Sequence, residues 1–190
     1  RMKHLELSKF TRRQMIGAAG TTLGLVTAGF PLFAKAEGIV PTMVNAAAKA
    51  KITVQPLRRN LSILMGSGGN IAVLTGKDGK LLVDAGFSVS RPAVSDALQT
   101  INADPIRDLV NTHWHTDHTD GNAWLHSAGA AITAHENTRK RLVVATRVEG
   151  WQYTFPPAPQ GALPAKVFST GLKMRRNESE IALRYYGPAH

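Results

Sequence analysis

Cysteine is absent from the 190 residues. That excludes disulfides and thiolate-ligated zinc, and it leaves histidine and carboxylate as the ligands for any metal. There is no internal repeat. Aromatic residues make up only 6% of the chain and are not interleaved with bases, so no single-strand nucleic-acid groove is expected. The chain does have 43% hydrophobic and 19% charged residues, a composition that supports a buried core. Its length suits one domain with an appendage. The net charge of +10 is divided evenly between residues 1–36 and the remaining 154 or so. In the longer part the bases fall in short groups, Arg58-Arg59, Arg139-Lys140-Arg141 and Arg175-Arg176. Such groups read as solvated faces, and nucleic acid is not an expected partner.

Residues 1–36 read as an address. Arg12-Arg13 precede a weakly apolar stretch, residues 16–33, which is interrupted by Gly17, Gly20, Gly24 and Gly29. Ala34-Lys35-Ala36 then offers small residues where a signal peptidase inspects the chain. The segment resembles a twin-arginine export signal, which implies export machinery as a partner and a periplasmic or secreted protein. Cleavage is expected after Ala36, with no stable membrane anchor left behind.

Residues 37–51 read as a linker and residues 52–190 as the domain. Short strands are expected at 52–57, 61–65, 71–74 and 81–83, the last two joined by the hairpin sequence Gly76-Lys77-Asp78-Gly79. A helix over 92–101 places Ala93, Ala97, Leu98 and Ile101 on one face. A strand at 106–111, a helix at 122–127, a strand at 130–134 and a helix at 136–145 follow. Late strands are expected at 166–175 and 181–186, and residues 151–164 form a long irregular loop with three aromatics. Hairpins first, then strands alternating with helices, indicate an α/β sandwich.

Residues 111–122 carry the chemistry. His113, His115, Asp117 and His118 place four potential ligands within six positions, a match expected by chance on the order of a few times in ten thousand chains. On a helix, positions i and i+2 lie about 200° apart and cannot share an ion, whereas alternate residues of an extended segment point the same way. His113 and His115 therefore suit one metal, with Trp114 and Thr116 turned away. His118, next to Asp117 where the chain turns, suits a second. The helical pattern His-Glu-x-x-His is absent.

This run resembles the signature of the metallo-β-lactamase superfamily. Val83-Asp84-Ala85-Gly86 after the hairpin and Tyr186-Gly187-Pro188-Ala189-His190 at the end resemble two further family motifs. The resemblance spans roughly residues 52–190 and implies a four-layer αβ/βα sandwich. It implies that His113, His115 and His190 bind one metal, that Asp117 and His118 bind a second, and that Asp117 also takes part in catalysis. Asp84 would support the ligands from behind, and Asp120 is a further candidate for that position. The family supplies a bridging Asp and a final His from later in the chain, so an N-terminal fragment of a longer protein is expected, in which only the first part of the sandwich is present. The implied cofactor is Zn2+, two ions per complete site. The implied reaction is hydrolysis of a small-molecule lactam, ester, thioester or phosphoester, through attack of a metal-activated hydroxide on a carbonyl or phosphoryl centre. Alternatives on the same motif are an iron-dependent oxidoreductase and a non-catalytic metal-binding module.

Other candidates have plainer explanations. His126 and His135 read as structural or surface residues. Gly66-Ser67-Gly68-Gly69-Asn70 lacks the Gly-Lys-Ser/Thr end of a phosphate loop and precedes a strand, so it reads as a tight connection. Asp120 is expected to cap the helix that starts at Asn122. Mass spectrometry of the exported protein is expected to show an N-terminus at Glu37; mature protein that retains Arg12-Arg13 would overturn the export reading.

Overall fold

The computed structural model describes residues 38–188. The expected export signal, its cleavage point and His190 lie outside the described residues. The segment expected to be a linker carries a helix, α1 (Ile39–Lys49). Pro41 is tolerated because it lies in the first turn, where backbone N–H groups have no intrahelical partner. Val40 and Ala47, seven residues apart on one face, are buried, and Ser90 Oγ donates to the Ala47 carbonyl at 3.2 Å. Among the described residues no helix is long and apolar enough to cross a membrane.

Four strands then form an antiparallel meander: β1 (Thr53–Pro56), β2 (Leu61–Met65), β3 (Ile71–Leu74) and β4 (Lys80–Val83). The 2-residue period places Ser62, Leu64, Ile71 and Val73 on a buried face, with half-buried neighbours between them. After a 3-10 turn (Ser88–Ser90) comes α2 (Arg91–Ile101), whose buried residues are Val94, Ala97 and Leu98. The face is thus rotated from the expected one. Val94, Ala97, Leu98 and Ile101 keep the i, i+3, i+4, i+7 spacing and bury a larger side chain than Ala93 would.

The chain next lays β5 (Ile106–Asn111) parallel to β4. Two short helices, α3 (Thr116–Thr119) and α4 (Asn122–Ser127), lead to β6 (Ala131–His135), parallel to β5. Helix α5 (Glu136–Leu142) ends earlier than expected, before the β-branched and exposed pair Val143-Val144. The loop expected at 151–164 is partly ordered. A hairpin of β7 (Thr146–Val148) and β8 (Tyr153–Phe155) turns through Gln152 at φ 50°, and a 3-10 turn (Gln160–Ala162) follows. The expected strand at 166–175 divides in two. β9 (Lys166–Phe168) joins β6, while β10 (Gly171–Arg176) leaves the sheet to pair with β11 (Ser179–Arg184).

The main sheet therefore has seven strands in the order β1-β2-β3-β4-β5-β6-β9, antiparallel up to β4 and parallel beyond it. Leu64, Ile71, Val73, Leu82, Leu109 and Ile132 from one sheet face pack with Val94, Ala97, Leu98 and Leu125 from α2 and α4. This core holds the carboxyl ends of β4 and β5 side by side, the edge where ligands bind in open α/β sheets.

The β10–β11 turn clasps the β3–β4 turn. Asn177 and Glu178 adopt left-handed backbone, φ 50° and 64°, as a tight hairpin turn requires. Asn177 Oδ1 accepts from Asp78 N at 2.9 Å, its Nδ2 donates to the Gly79 carbonyl at 2.8 Å, and its backbone N donates to Asp78 Oδ2 at 2.6 Å. Nearby, Arg176 donates to both oxygens of buried Asp108 on β5 at 2.6 and 3.1 Å. Asn177→Ala removes its side-chain bonds and a residue suited to φ > 0, and is expected to lower stability by about 1–3 kcal/mol in urea unfolding. An unchanged midpoint would show that the clasp contributes nothing.

Candidate metal centre

Two strand ends build the site. β4 runs into Asp84, whose backbone is left-handed at φ 66° and whose side chain is buried. Asp84 N donates to the Val110 carbonyl at 2.8 Å, which keeps the two ends together past the last ladder pair. β5 runs into Thr112 and His113, and the chain then bends into α3, with His115 as its N-cap residue. The turn expected at Asp117-His118 is thus a single helical turn. The His118 and Thr119 N–H groups both donate to the His115 carbonyl, at 3.0 and 3.1 Å.

This bend brings the expected residues together. The His113 and His115 ring centroids lie 4.7 Å apart, and those of His113 and His118 lie 4.2 Å apart. His118 Nε2 is 3.2 Å from Asp117 Oδ2. Trp114 turns to Phe155, ring to ring at 5.3 Å, and the Trp151 ring stands 5.0 Å from His115. The β7–β8 hairpin therefore supplies an aromatic wall beside the imidazoles.

Asp84 orients two of these rings. Its Oδ1 accepts from Thr112 N at 2.8 Å, and its Oδ2 accepts from Thr112 Oγ1 at 2.7 Å and lies 2.8 Å from His118 Nδ1. Thr112 Oγ1, having given its proton to Asp84, accepts at its lone pairs; His113 Nδ1 lies 3.0 Å away. The network thus places the Nδ1 proton of both histidines toward Thr112 and Asp84 and turns their Nε2 atoms outward, that of His118 toward Asp117. Burial opposes a charge on His118, but its hydrogen bonds to Asp117 and Asp84, together with their charges, raise its pKa to about 9. Burial would likewise raise the Asp117 carboxyl; the bond to His118 and the charges of His118 and His113 outweigh it and hold the carboxyl below its usual value.

The residues fit a metal by donor type and by support. Three imidazoles and one carboxylate are a zinc-type set. Among the described residues no three such side chains already form a closed cage. The rings pack on one another instead, so an ion would be held after they rotate.

The loop beneath them packs closely against the backbone and the His118 ring. Gly69 N donates to the Asp117 carbonyl at 3.2 Å, and a Cβ at Gly69 would stand 2.6 Å from His118 Cε1. A Cβ at Gly121 would meet the Ala85 carbonyl at 2.3 Å. Below the loop, Asn111 and Asn122 exchange side-chain hydrogen bonds at 3.0 and 2.9 Å, and Asn111 also donates to the His118 carbonyl at 3.2 Å.

Some expectations are corrected. Asp120 does not cap α4, whose N-cap is Gly121 without a side-chain bond. Its Oδ2 instead accepts from Ser88 N at 2.7 Å and Ser88 Oγ at 2.5 Å, tying the histidine loop to the turn before α2. The Gly66–Asn70 connection is tight as expected, but it also packs on Asp117 and His118. Nothing local in the sequence indicates that contact. Thr112 was likewise missed, although its place directly before His113 was a usable signal. His126 Nδ1 is 3.1 Å from the Ala130 carbonyl. His135 caps α5 by accepting from Asn137 N, and its Nε2 lies 2.8 Å from the Ser169 carbonyl.

The fold recurs in solved structures. A B3 metallo-β-lactamase with an active-site glutamic acid aligns at TM-score 0.60 and 16% identity, over 76% of this chain and 55% of that one. A subclass B3 enzyme from a soil metagenome library aligns at 0.60 and 17%, over 73% and 54%. A subclass B3 enzyme of Bradyrhizobium japonicum aligns at 0.59 and 22%, over 72% and 53%. The chain thus spans about half the length of these structures. No curated protein sequence matches it. The sequence profile of the metallo-β-lactamase superfamily matches residues 64–180, which include both strand ends and the histidine loop, and the chain belongs to that superfamily.

Proposed function

We propose that the site serves a zinc-dependent hydrolase of small molecules. The observation that carries this reading is the convergence of His113, His115, Asp117 and His118 at the carboxyl end of β5, with one buried carboxylate, Asp84, orienting two of the rings. In this reading His113 and His115, with His190, hold one ion, and Asp117 and His118 hold a second. Zinc bound there would polarise the carbonyl or phosphoryl oxygen under attack and bring the pKa of a water toward neutrality.

The chain's own residues do the rest. Asp84 fixes the tautomer of His113 and His118, so that both present Nε2. Asp117, held ionised, is a ligand and an acceptor for a proton of the attacking water. Trp114, Trp151 and Phe155 exclude solvent on one side, which strengthens every charge interaction inside. Ester, thioester, lactam and phosphoester bonds all suit this chemistry. With the export signal expected in residues 1–36, the proposed location of the activity is the periplasm or outside the cell.

Elemental analysis of protein expressed without added metal is expected to find zinc bound at the histidine loop and lost in His113→Ala; iron at stoichiometric levels would overturn the zinc assignment. Asp84→Asn puts an amide donor opposite the Thr112 hydroxyl and His118 Nδ1, and Gly69→Ala drives a methyl group into His118. Each is expected to weaken zinc binding about 10–100-fold in chelator competition while the far-ultraviolet spectrum is retained. Wild-type affinity in both variants would refute the supporting role.

A further inference from the structure

Thr112, His113 and Trp114 form one wall of a cleft of about 580 Å3, whose opposite side comes from α5 and from the residues after β11. Apart from its two histidines, the ionisable side chains lining it are Lys140, Arg141, Arg184 and two tyrosines. Among the described residues no Asp or Glu lines it. Lys140 is partly neutralised by Glu136, 3.2 Å away. The two arginines have no carboxylate partner among the described residues. Arg141 stands over the Trp114 ring at 5.7 Å, and Arg184 over the Tyr186 ring at 5.5 Å.

Each arginine thus has an aromatic neighbour in place of a carboxylate. A guanidinium over a ring keeps N–H donors available to a carboxylate or phosphate. Tyr185 is itself fixed, stacked on His135 with centroids 3.9 Å apart. The cleft thus offers two cations and aromatic walls, and it opens onto His113.

We propose that this cleft is the recognition part of the substrate site, in which Arg141 and Arg184 bind the carboxylate or phosphate of a small ring-bearing anion and set its hydrolysable bond toward His113. The substrate role rests on the hydrolase reading; anion binding by the cleft does not. Anion recognition here would select among substrates by charge and leave the chemistry to the histidine loop.

The test is calorimetric titration of metal-free and zinc-loaded protein at neutral pH with phenylacetate, benzylphosphonate and the uncharged phenylacetamide. At least one anion is expected to bind ten or more times tighter than the amide, with or without zinc. Preference for phenylacetate identifies a carboxylate site, and preference for benzylphosphonate a phosphate site. Arg141→Gln and Arg184→Gln are expected to lose that tenfold, and the Lys variants to recover part of it. Both positions are exposed, and thermal unfolding checks that each variant remains folded. Equal binding of acids and amide, or full binding by both Gln variants, would overturn the proposal. So would anion binding that requires zinc, since it would place the anion on the metal. Charge discrimination by a protein that takes up no zinc would leave the anion site standing and remove the hydrolase reading.

Discussion

The carboxylate of Asp84 sits where β4 stops and β5 delivers the histidine loop, buried and with a backbone conformation that most residues avoid. Burying a charged group is costly unless hydrogen bonds replace its water. Here the Thr112 amide, the Thr112 hydroxyl and His118 Nδ1 replace it. Each partner belongs to the histidine loop, so satisfying Asp84 and shaping the loop are one event. The strained backbone, worth about 1–2 kcal/mol for a residue with a side chain, turns the carboxylate away from the strand direction and toward that loop.

The rest of the fold serves this junction. The change from antiparallel to parallel pairing at β4 puts two strand ends together, and α2 and α4 cover the sheet face below them. The Asn111–Asn122 pair ties β5 to α4 beneath the loop, and Asn122 also donates to the Ala162 carbonyl at 2.9 Å. Side chains around the loop divide the work by character. Trp114, Trp151 and Phe155 shield the imidazoles, while Arg141 and Arg184 face the adjoining cleft.

Much of this was legible in residue patterns. Alternation in β2 and β3, the Gly-Lys-Asp-Gly turn and the strand at Ile106–Asn111 are local signals, and the structure follows them. The spacing of His113, His115, Asp117 and His118 gave the cluster because a short segment can aim alternate side chains together. Contacts between distant segments were not legible. Gly69 lies under His118, Asp120 reaches Ser88, and Arg141 lies over Trp114, all set by how the sheet folds rather than by neighbouring residues. The helix at Ile39–Lys49 was hidden for a related reason. Part of its support comes from Ser90, more than forty residues away.

The clasp between the two hairpin turns bears on the order in which the chain folds. The bond from Asp78 N to Asn177 Oδ1 joins residues 99 apart. Closing a loop of that length in an unfolded chain costs about 4 kcal/mol of entropy beyond a constant, while each hydrogen bond returns about 1 kcal/mol. The clasp therefore closes late, onto a sheet whose strands have already drawn the two turns together. It acts as a latch on a finished sheet and takes no part in its nucleus.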